Sequence, residues 1–271
     1  MDIDLSIVTL VWNSERHVRT CFERTVARAE EAGLSWEFLV VDNGSTDATP
    51  EILAELAGRH PRLWVERLPE NRGTTFPRNL ALRRARGRHV CVLDSDAYPE
   101  PGCLETLIRV LEGRPEVGLA VPRLVYPDGR YQKSTDRVPT LPIKVRRALL
   151  LRRIEQSEAP PGPGPVEYAI SAFWVFRREL LARAGYLDEK IFYAPEDVEF
   201  CLRVRRAGQA VWYEPSAVAV HDAQEKSRSL IPNRLTLLHV KGLLYLFWKY
   251  RFVWSAPRLQ PAGAAMEEKR P

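Results

Sequence analysis

Short apolar runs alternate with longer amphipathic stretches over roughly the first half of the chain. The runs are rich in β-branched residues and are bounded by turn-forming residues, which is typical of buried strands. The predicted strands are Leu5–Val11, Trp36–Val41, Leu63–Leu68, Val90–Leu93 and Val117–Val121. The predicted helices run from Asn13 or Ser14 to about Glu31, from Ala48 onward, from Arg78 to Ala85 and from Cys103 to Leu111. Because strands and helices alternate, we expect an α/β fold with a mostly parallel central sheet covered by helices on both faces.

The second half of the chain predicts the same kinds of element in a less regular order. A hairpin turn is expected at Val125–Tyr131, where proline, aspartate and glycine interrupt the strand formers. The other predicted elements are a strand within Val166–Phe176, helices at Arg177–Ala184 and Pro195–Ala207, and strands at Ala210–Tyr213 and Ala217–Val220. We therefore expect one domain to continue to about residue 229.

Two segments differ from the rest in composition. Residues 140–165 begin with a basic helix, Ile143–Ile154, and end in a proline- and glycine-rich run, so we expect a mobile loop there. Residues 235–254 are apolar and aromatic with basic residues interleaved, which is typical of a helix that lies in a membrane interface. Packing against the protein's own sheet, or a dimer contact, is the alternative for this segment. Residues 257–271 are expected to be disordered.

The composition excludes several classes of protein. With 45% apolar and 28% charged residues, the 271-residue chain is globular and long enough for a large core. A formal charge of +5 suits anionic substrates, but it is too small to indicate nucleic-acid binding, and no nucleic-acid motif is present. The four cysteines form no Cys-x-x-Cys pair, which favours buried thiols in a reducing compartment. No apolar run is long enough to span a bilayer and no signal peptide is recognisable, so we expect a cytoplasmic protein.

The clearest candidate chemistry follows the predicted strand Val90–Leu93. Asp94 and Asp96 come directly after this strand, and open α/β sheets bind ligands at the carboxyl ends of their strands. Two carboxylates there suit a hard divalent cation that also holds substrate phosphates. A solvated turn is the alternative for an isolated Asp-x-Asp. Polar groups at the ends of other elements are Thr9–Asn13, Asp42–Asp47, Asp197 and His221, and sites in such sheets are built from loops of this kind.

Taken in order, these stretches resemble glycosyltransferase family 2, the inverting nucleotide-sugar transferases of the GT-A fold, and especially its rhamnosyltransferase-like bacterial members. The matching stretches are Ser6–Ser14, Val40–Asp47, Glu70–Gly73, Leu93–Asp96, Gly185–Glu189, Glu196–Arg203 and His221. The resemblance implies a GT-A domain over residues 1–229, with a nucleotide-binding half at 1–98 and an acceptor and catalytic half at 99–229. Residues 230–256 would then form a helical extension.

The resemblance also implies a metal-dependent reaction. Asp96 would ligate Mn²⁺ or Mg²⁺, Asp94 would bind the ribose or support the metal, and His221 would complete the metal shell. Imidazole and carboxylate together favour Mn²⁺ slightly. Asp197 matches the general base of the family, and Glu196 is the neighbouring alternative. Acids at a helix start are also favoured by the helix dipole alone.

The nucleotide and the sugars would contact further residues. The nucleotide-binding residues that the resemblance implies are Thr9, Val11, Trp12, Asn13, Asp42, Asn43, Gly44, Arg72, Asp94 and Ser95. The carboxylate of Asp42 suits a pyrimidine because it accepts a ring N–H, and Trp12 offers a stacking face. The residues implied beside the donor or acceptor sugar are Thr74, Arg78, Ala172, Phe173 and Trp174. Several of these are bulkier than is usual in the family, which leaves the identity of the sugar open.

The expected function is transfer of a sugar from a UDP- or dTDP-sugar to a hydroxyl of a glycan or lipid-linked acceptor, in cell-surface polysaccharide or glycolipid synthesis. A sugar-nucleotide nucleotidyltransferase is an alternative, but it should carry a glycine-rich basic loop where this chain has Trp12–Glu15. A non-catalytic nucleotide-sugar-binding module would require loss of Asp96 or Asp197, and both are present. Peripheral association with the inner face of the cytoplasmic membrane, and a homodimer, are further expectations.

Overall fold

The computed structural model describes residues 3–143, 161–223 and 234–256. The strands are β1 (Leu5–Val11), β2 (Trp36–Asp42), β3 (Leu63–Arg67), β4 (His89–Asp94), β5 (Ala97–Pro99), β6 (Val117–Val125), β7 (Tyr131–Gln132), β8 (Thr135–Asp136), β9 (Gly164–Val166), β10 (Tyr168–Ala169), β11 (Phe173–Arg177) and β12 (Ala210–His221). The helices are α1 (Val18–Glu31), α2 (Thr49–Arg59), α3 (Thr75–Arg84), α4 (Cys103–Gly113), α5 (Leu180–Ala184), α6 (Glu196–Arg206) and α7 (Arg234–Tyr250). Nearly all of the predicted basic helix and the predicted disordered tail lie outside the described residues.

One large sheet runs through the molecule in the order β3-β2-β1-β4-β11-β6-β12-β5. The first four of these strands are parallel, as predicted from the alternation of strands and helices. The second half is mixed, because β11 runs antiparallel to both β4 and β6, whereas β12 is parallel to β6. As a result, β11 begins at the same edge at which β4 and β12 end.

The central strands are buried on both faces. Every residue of β2 is buried, and so is nearly every residue of β1. Side chains of α1, α2 and α4 form an apolar cluster with one face of the sheet. Side chains of α3, α5 and α6 form a second cluster with the other face. The predicted covering of the sheet by helices on both faces is therefore confirmed.

Several element boundaries differ from the prediction. Helix α1 begins at Val18 rather than near Ser14, because the Ser14 amide donates to Thr49 Oγ1 (2.8 Å) and holds this residue in the loop before the helix. The predicted turn at Glu214 is a register shift within the continuous strand β12. The apolar run Val166–Phe176 divides among three short strands instead of forming one.

The C-terminal helix α7 packs on the domain with one face and leaves the other face exposed. One face packs on α6 in a cluster of Val138, Val198, Leu202, Leu246, Tyr250 and Phe252. The opposite face leaves large apolar side chains exposed, among them Leu244 at 62% and Trp248 at 73%. Among the described residues, no helix has both the length and the apolar character needed to cross a bilayer.

We expect replacement of Leu246 by alanine to destabilise the domain. Its side chain is fully buried between α7 and α6, so truncation should lower the free energy of unfolding by about 2–5 kcal/mol. The matched control is Leu244→Ala on the exposed face of the same helix, which should change it by no more than about 0.5 kcal/mol. Denaturant unfolding measures both, and equal effects of the two variants would show that α7 does not pack on the domain in solution.

Candidate active site

The candidate site lies at the edge of the sheet where β1, β2, β4 and β12 end and β11 begins. Asp94 is the last residue of β4, and its amide donates to the carbonyl of Ala172 just before β11. His221 is the last residue of β12 and pairs with Ala97 of β5. Strand β11 begins at this edge because it runs antiparallel to β4, and strand β12 ends there. Residues distant in sequence therefore lie beside the Asp94–Asp96 turn.

Asp94, Asp96 and His221 form a compact cluster, with one potential ligand atom from each within 4.8 Å of the others. His221 Nε2 lies 3.4 Å from Asp96 Oδ1 and 3.9 Å from Asp94 Oδ2. The other ring nitrogen, Nδ1, lies 2.8 Å from Oε1 of Gln132 on β7. In the neutral tautomer with its proton on Nδ1, the ring donates a hydrogen bond to Gln132, and the Nε2 lone pair is directed toward the two acids.

This donor set fits a divalent cation. Two carboxylates and one imidazole suit Mn²⁺ or Mg²⁺, and a hydrogen bond to the outer nitrogen of a ligating histidine is the usual way in which its ring is oriented. Gln132 supplies that hydrogen bond here. The sequence does not point to Gln132, because nothing around it signals a site and 89 positions separate it from His221.

The charges of the cluster perturb one another. Burial lowers the pKa of His221, but its hydrogen bond to Asp96 and the charges of Asp94 and Asp96 outweigh burial, so the pKa lies above its ordinary value. Burial raises the pKa of Asp94, Arg78 opposes this, and the repulsion from Asp96 adds to the rise. Two crowded acids beside an imidazole whose pKa is raised form a site in which a cation can take the place of the proton.

Arg78 links this cluster to the start of α6. Its guanidinium, only 3% exposed, donates to Asp94, to Ser171 Oγ (2.9 Å) and to Glu196 Oε1 (3.2 Å). The prediction placed Arg78 against a sugar, but the structure buries it between two carboxylates. Ser171, which the sequence did not single out, also donates to Glu196 Oε1 at 3.2 Å.

The two adjacent acids at the start of α6 have different surroundings. Glu196 is buried and its carboxylate accepts hydrogen bonds from Arg78 and Ser171. Asp197 is half-buried, and its Oδ1 accepts from the Val198 amide at 2.7 Å. Glu196 is thus committed to an internal ion pair, whereas Asp197 is the more accessible carboxylate.

Among the residues predicted to bind the nucleotide, Trp12 has a side chain available to a ligand. It is 53% exposed just after β1. A depression of about 390 Å³ is lined by Gly44, Ser45, Thr46, Arg67, Leu68 and Pro69. Gly44 has φ +78°, and a Cβ there would lie 2.8 Å from the Glu70 backbone, so only glycine fits this position.

Other predicted nucleotide ligands shape the loops instead. Asn43 donates to Asn71 Oδ1 and to the Gly73 carbonyl, and its Oδ1 accepts from the Arg72 amide, so little of its hydrogen-bonding capacity remains. Asn13 Oδ1 accepts from the Thr46 amide at 2.8 Å. The side chains of Asn43 and Asn13 therefore connect neighbouring loops.

The remaining residues that were predicted to bind the nucleotide differ in how exposed their side chains are. Thr9 and Val11 are buried within β1, so their side chains do not face a ligand. Asp42 is also buried; its Oδ1 accepts from the Ser45 amide, whereas its Oδ2 has no hydrogen bond, although Arg67 Nε lies 3.4 Å away. Ser95 Oγ lies 2.9 Å from Ser14 Oγ. The Arg72 side chain is exposed over the ring of Phe76, which leaves it accessible to an anion.

The residues predicted to contact a sugar are mostly unavailable for it. Ala172, Phe173 and Trp174 are buried, and Trp174 stacks on Phe200 with ring centroids 5.3 Å apart. They belong to the core because β11 is a central strand rather than the rim of a pocket. Thr74 lies at the rim of the site, and its amide donates to the Phe192 carbonyl at 2.7 Å. This contact joins the start of α3 to the segment that precedes α6.

The sheet order, the strand-end acids and the histidine that completes their cluster define the GT-A fold of nucleotide-diphospho-sugar transferases. Among solved structures, the chain is similar to the mannosyltransferase PcManGT from Pyrobaculum calidifontis in complex with GDP-Man and Mn²⁺. The TM-score is 0.61 at 22% identity, and the match covers 95% of this chain and 66% of that one. At that identity the likeness shows the fold alone.

The chain belongs to glycosyltransferase family 2, whose model, described as "Glycosyl transferase family 2", matches residues 6–185. The chain is 31% identical over 203 residues to a pre-mycofactocin glycosyltransferase of Mycobacterium tuberculosis, a match that covers 72% of this chain but 39% of that protein. It is 26% identical over 275 residues to the N-acetylglucosaminyl-diphospho-decaprenol L-rhamnosyltransferase of the same organism, covering 93% and 87% of the two chains. It therefore spans less than half of the first relative and most of the second.

We expect binding of Mn²⁺ to weaken as the pH falls through the raised pKa of His221. Protonated His221 pairs with Asp94 and Asp96, so the ion must displace a proton below that pKa and none above it. Calorimetric titration of the protein with Mn²⁺ at several pH values measures this dependence.

The matched variant is His221→Gln, which cannot take up that proton. It should bind Mn²⁺ more weakly at high pH and show a flatter dependence on pH. An affinity of the unaltered protein that does not change with pH would contradict ligation by His221.

Proposed function

We propose that this protein is an inverting glycosyltransferase that moves a sugar from a UDP- or dTDP-sugar to a hydroxyl acceptor. The observation that carries the proposal is the placement of the Asp94–Asp96–His221 cluster and the Glu196–Asp197 turn at one sheet edge, joined through Arg78. The first group suits the diphosphate of a donor and the second offers a base for an acceptor. Membership of glycosyltransferase family 2 supports the same reaction.

The proposed reaction is a single displacement at the anomeric carbon. Asp197 takes the proton of the acceptor hydroxyl while that oxygen forms a bond to the anomeric carbon from the face opposite the diphosphate. The bond from that carbon to the β-phosphate oxygen breaks, and the nucleoside diphosphate leaves with the electron pair. A divalent cation held by Asp94, Asp96 and His221 would supply charge to stabilise this leaving group.

We assign the base to Asp197 rather than Glu196 because their surroundings differ. A general base must lie within hydrogen-bond reach of the acceptor hydroxyl, and Asp197 is the more exposed of the two acids. Glu196 is buried and already accepts hydrogen bonds from Arg78 and Ser171. Its proposed role is to hold Arg78 in place, and Arg78 in turn holds Asp94.

We propose that the nucleotide base binds in the depression along Gly44–Thr46 and Arg67–Pro69, with the exposed ring of Trp12 as a stacking surface. Asp42 lies beneath this loop with one carboxylate oxygen that lacks a hydrogen bond. We propose that this oxygen accepts a hydrogen bond from the ring N–H of uracil or thymine after a small movement of the loop. The alternative nucleotidyltransferase has no support here, because the loop after β1, Trp12–His17, contains no glycine and such an enzyme needs a glycine-rich loop there.

We propose a lipid-linked or glycan acceptor and peripheral attachment to an anionic membrane. The exposed face of α7 carries a stripe of large apolar side chains, Leu237, Val240, Leu244 and Trp248. Lys241 is exposed on the same helix, and Arg251 is exposed just after it. Large apolar and basic side chains on one exposed helix are typical of a helix that lies in a membrane interface. The relative named as a decaprenol-linked rhamnosyltransferase supports an acceptor of this class.

The reaction is tested by incubating the protein with a panel of UDP- and dTDP-sugars and Mn²⁺, and following hydrolysis of the donor. We expect slow release of the nucleoside diphosphate from one donor, abolished by EDTA and by Asp96→Ala, because the leaving group then lacks its counter-charge. Full activity in EDTA would contradict the proposed role of the cation.

The assignment of the base is tested by a pair of variants. Asp197→Asn should lower kcat by at least about 100-fold with little change in donor KM, as for a group that acts in the transition state. Glu196→Gln should retain more activity, because it changes an internal ion pair. The reverse order, with Glu196→Gln inactive and Asp197→Asn active, would move the base to Glu196.

Membrane attachment is tested by co-sedimentation with vesicles of phosphatidylglycerol and phosphatidylcholine. We expect binding that weakens with salt, is absent from pure phosphatidylcholine and is lost in Leu244→Ser/Trp248→Ser. Light scattering without lipid gives the oligomeric state. A dimer that this same variant dissociates, together with no vesicle binding, would assign the stripe to a protein contact instead.

A further inference from the structure

Helix α7 contacts the chain on both sides of the Glu196–Asp197 turn. Before the turn, Lys249 Nζ lies 2.6 Å from Oδ2 of Asp188. After the turn, the same Nζ lies 2.6 Å from Oε1 of Glu199. One cation of α7 therefore connects the segment that leads into α6 with the first turn of α6.

Two tyrosines of α7 strengthen these contacts. The Tyr245 hydroxyl donates to Asp188 Oδ2 at 2.8 Å, and the Tyr250 hydroxyl donates to Glu199 Oε1 at 2.9 Å. Although burial alone would raise the pKa of Asp188, its hydrogen bonds, foremost that from Lys249, keep this pKa below the ordinary value. The two carboxylates therefore act as charged anchors for α7.

Glu199 depends on these partners because it is fully buried, with 0% of its side chain exposed. Arg203, one turn later in α6, donates to both of its carboxylate oxygens. A buried charge that loses a partner is strongly destabilised. Removal of the Lys249 charge should therefore disturb the first turn of α6 rather than only loosen α7.

A third contact involves backbone alone. A Cβ placed on Gly242 would lie 2.3 Å from the carbonyl oxygen of Ala194, so α7 approaches the residues just before Glu196 as closely as a helix can. On the other side of this segment, α3 holds it through Thr74 and Thr75, which donate to the carbonyls of Phe192 and Ile191. The segment that leads into the Glu196–Asp197 turn is therefore held between α3 and α7.

We propose that α7 positions Asp197, and that Lys249 is the positioning residue through which it does so. The inference rests on the proposed role of Asp197 as the base. Lys249 touches neither substrate nor Asp197 in this scheme; it fixes Asp188 and Glu199, which flank the turn that presents the base. A base displaced by about 1 Å can lose roughly 100-fold in rate. The donor site, which lies on the α3 side, should be unaffected.

The experiment compares Lys249→Met with Arg109→Met, which removes an exposed cation of α4, in the full chain. For Lys249→Met we expect kcat for donor hydrolysis to fall at least about 10-fold, while donor KM and the affinity for UDP with Mn²⁺ change less than about 2-fold. Lys249→Arg should recover part of the loss, because a cation returns between the two carboxylates. Arg109→Met should match the unaltered protein.

Hydrogen exchange gives a readout that does not depend on activity. Lys249→Met should raise amide exchange in residues 185–198 above that of Arg109→Met, with no change in β1 and β4. If Lys249→Met does not fold, Tyr245→Phe removes one hydrogen bond to Asp188 and should give a smaller change in the same direction. Each of these results, in the stated direction, supports the positioning role.

The outcomes separate this inference from the proposed function. A folded Lys249→Met protein with unchanged kcat and unchanged exchange would overturn the positioning role alone. Equal losses of kcat and of UDP affinity would also overturn it, because the defect would then be general. If the unaltered protein turns over no nucleotide sugar, the proposed function fails, and unchanged exchange in Lys249→Met would still reject the contact on which the positioning role depends.

Discussion

The organisation of the site depends on one buried cation, Arg78. Its guanidinium is enclosed by Asp94 at the end of β4, Ser171 before β11 and Glu196 at the start of α6. A buried charge of this kind is stable only while its partners remain in place. The ion pairs therefore fix the distance between the acids proposed to hold the cation and the turn proposed to supply the base.

The fold explains how such distant residues come together. Parallel strands bring the loops after β1, β2 and β4 to one edge, and the antiparallel strand β11 returns the chain to that edge beside Asp94. β12 ends there with His221, whose ring is oriented by Gln132. The helix α7 then packs behind α6, so that the segment leading into the proposed catalytic turn lies between the start of α3 and the C-terminal helix.

Much of this architecture could be predicted from the sequence. The first four strands of the sheet are apolar runs with clear ends, and the polar residues that follow them are local signals, as for Asp94 and Asp96. The cluster with His221 could be predicted only through the family resemblance, since no local pattern connects residues so far apart. The burial of Phe173 and Trp174 could not be predicted, because a short apolar strand looks the same at the rim of a pocket and in the middle of a sheet.

The same limit applies to polar side chains. Asn43 and Arg78 have the residue types expected of ligand contacts, but both bond to other parts of the chain. Glu199 lies in the acidic first turn of α6, where a solvated side chain is usual, but it is a fully buried partner of Lys249. Whether a polar residue faces a ligand or another side chain depends on tertiary packing, which a single sequence does not specify.

The central claim is that Asp94, Asp96 and His221 hold a divalent cation on the diphosphate of the donor. Anomalous diffraction from crystals grown with UDP and Mn²⁺ tests this most directly, because it locates the ion independently of activity. We predict one strong peak within about 2.5 Å of Asp96 and His221, with the diphosphate beside it. A Mn²⁺ peak elsewhere on the protein, or UDP bound at the strand ends with no ion between these residues, would contradict the account.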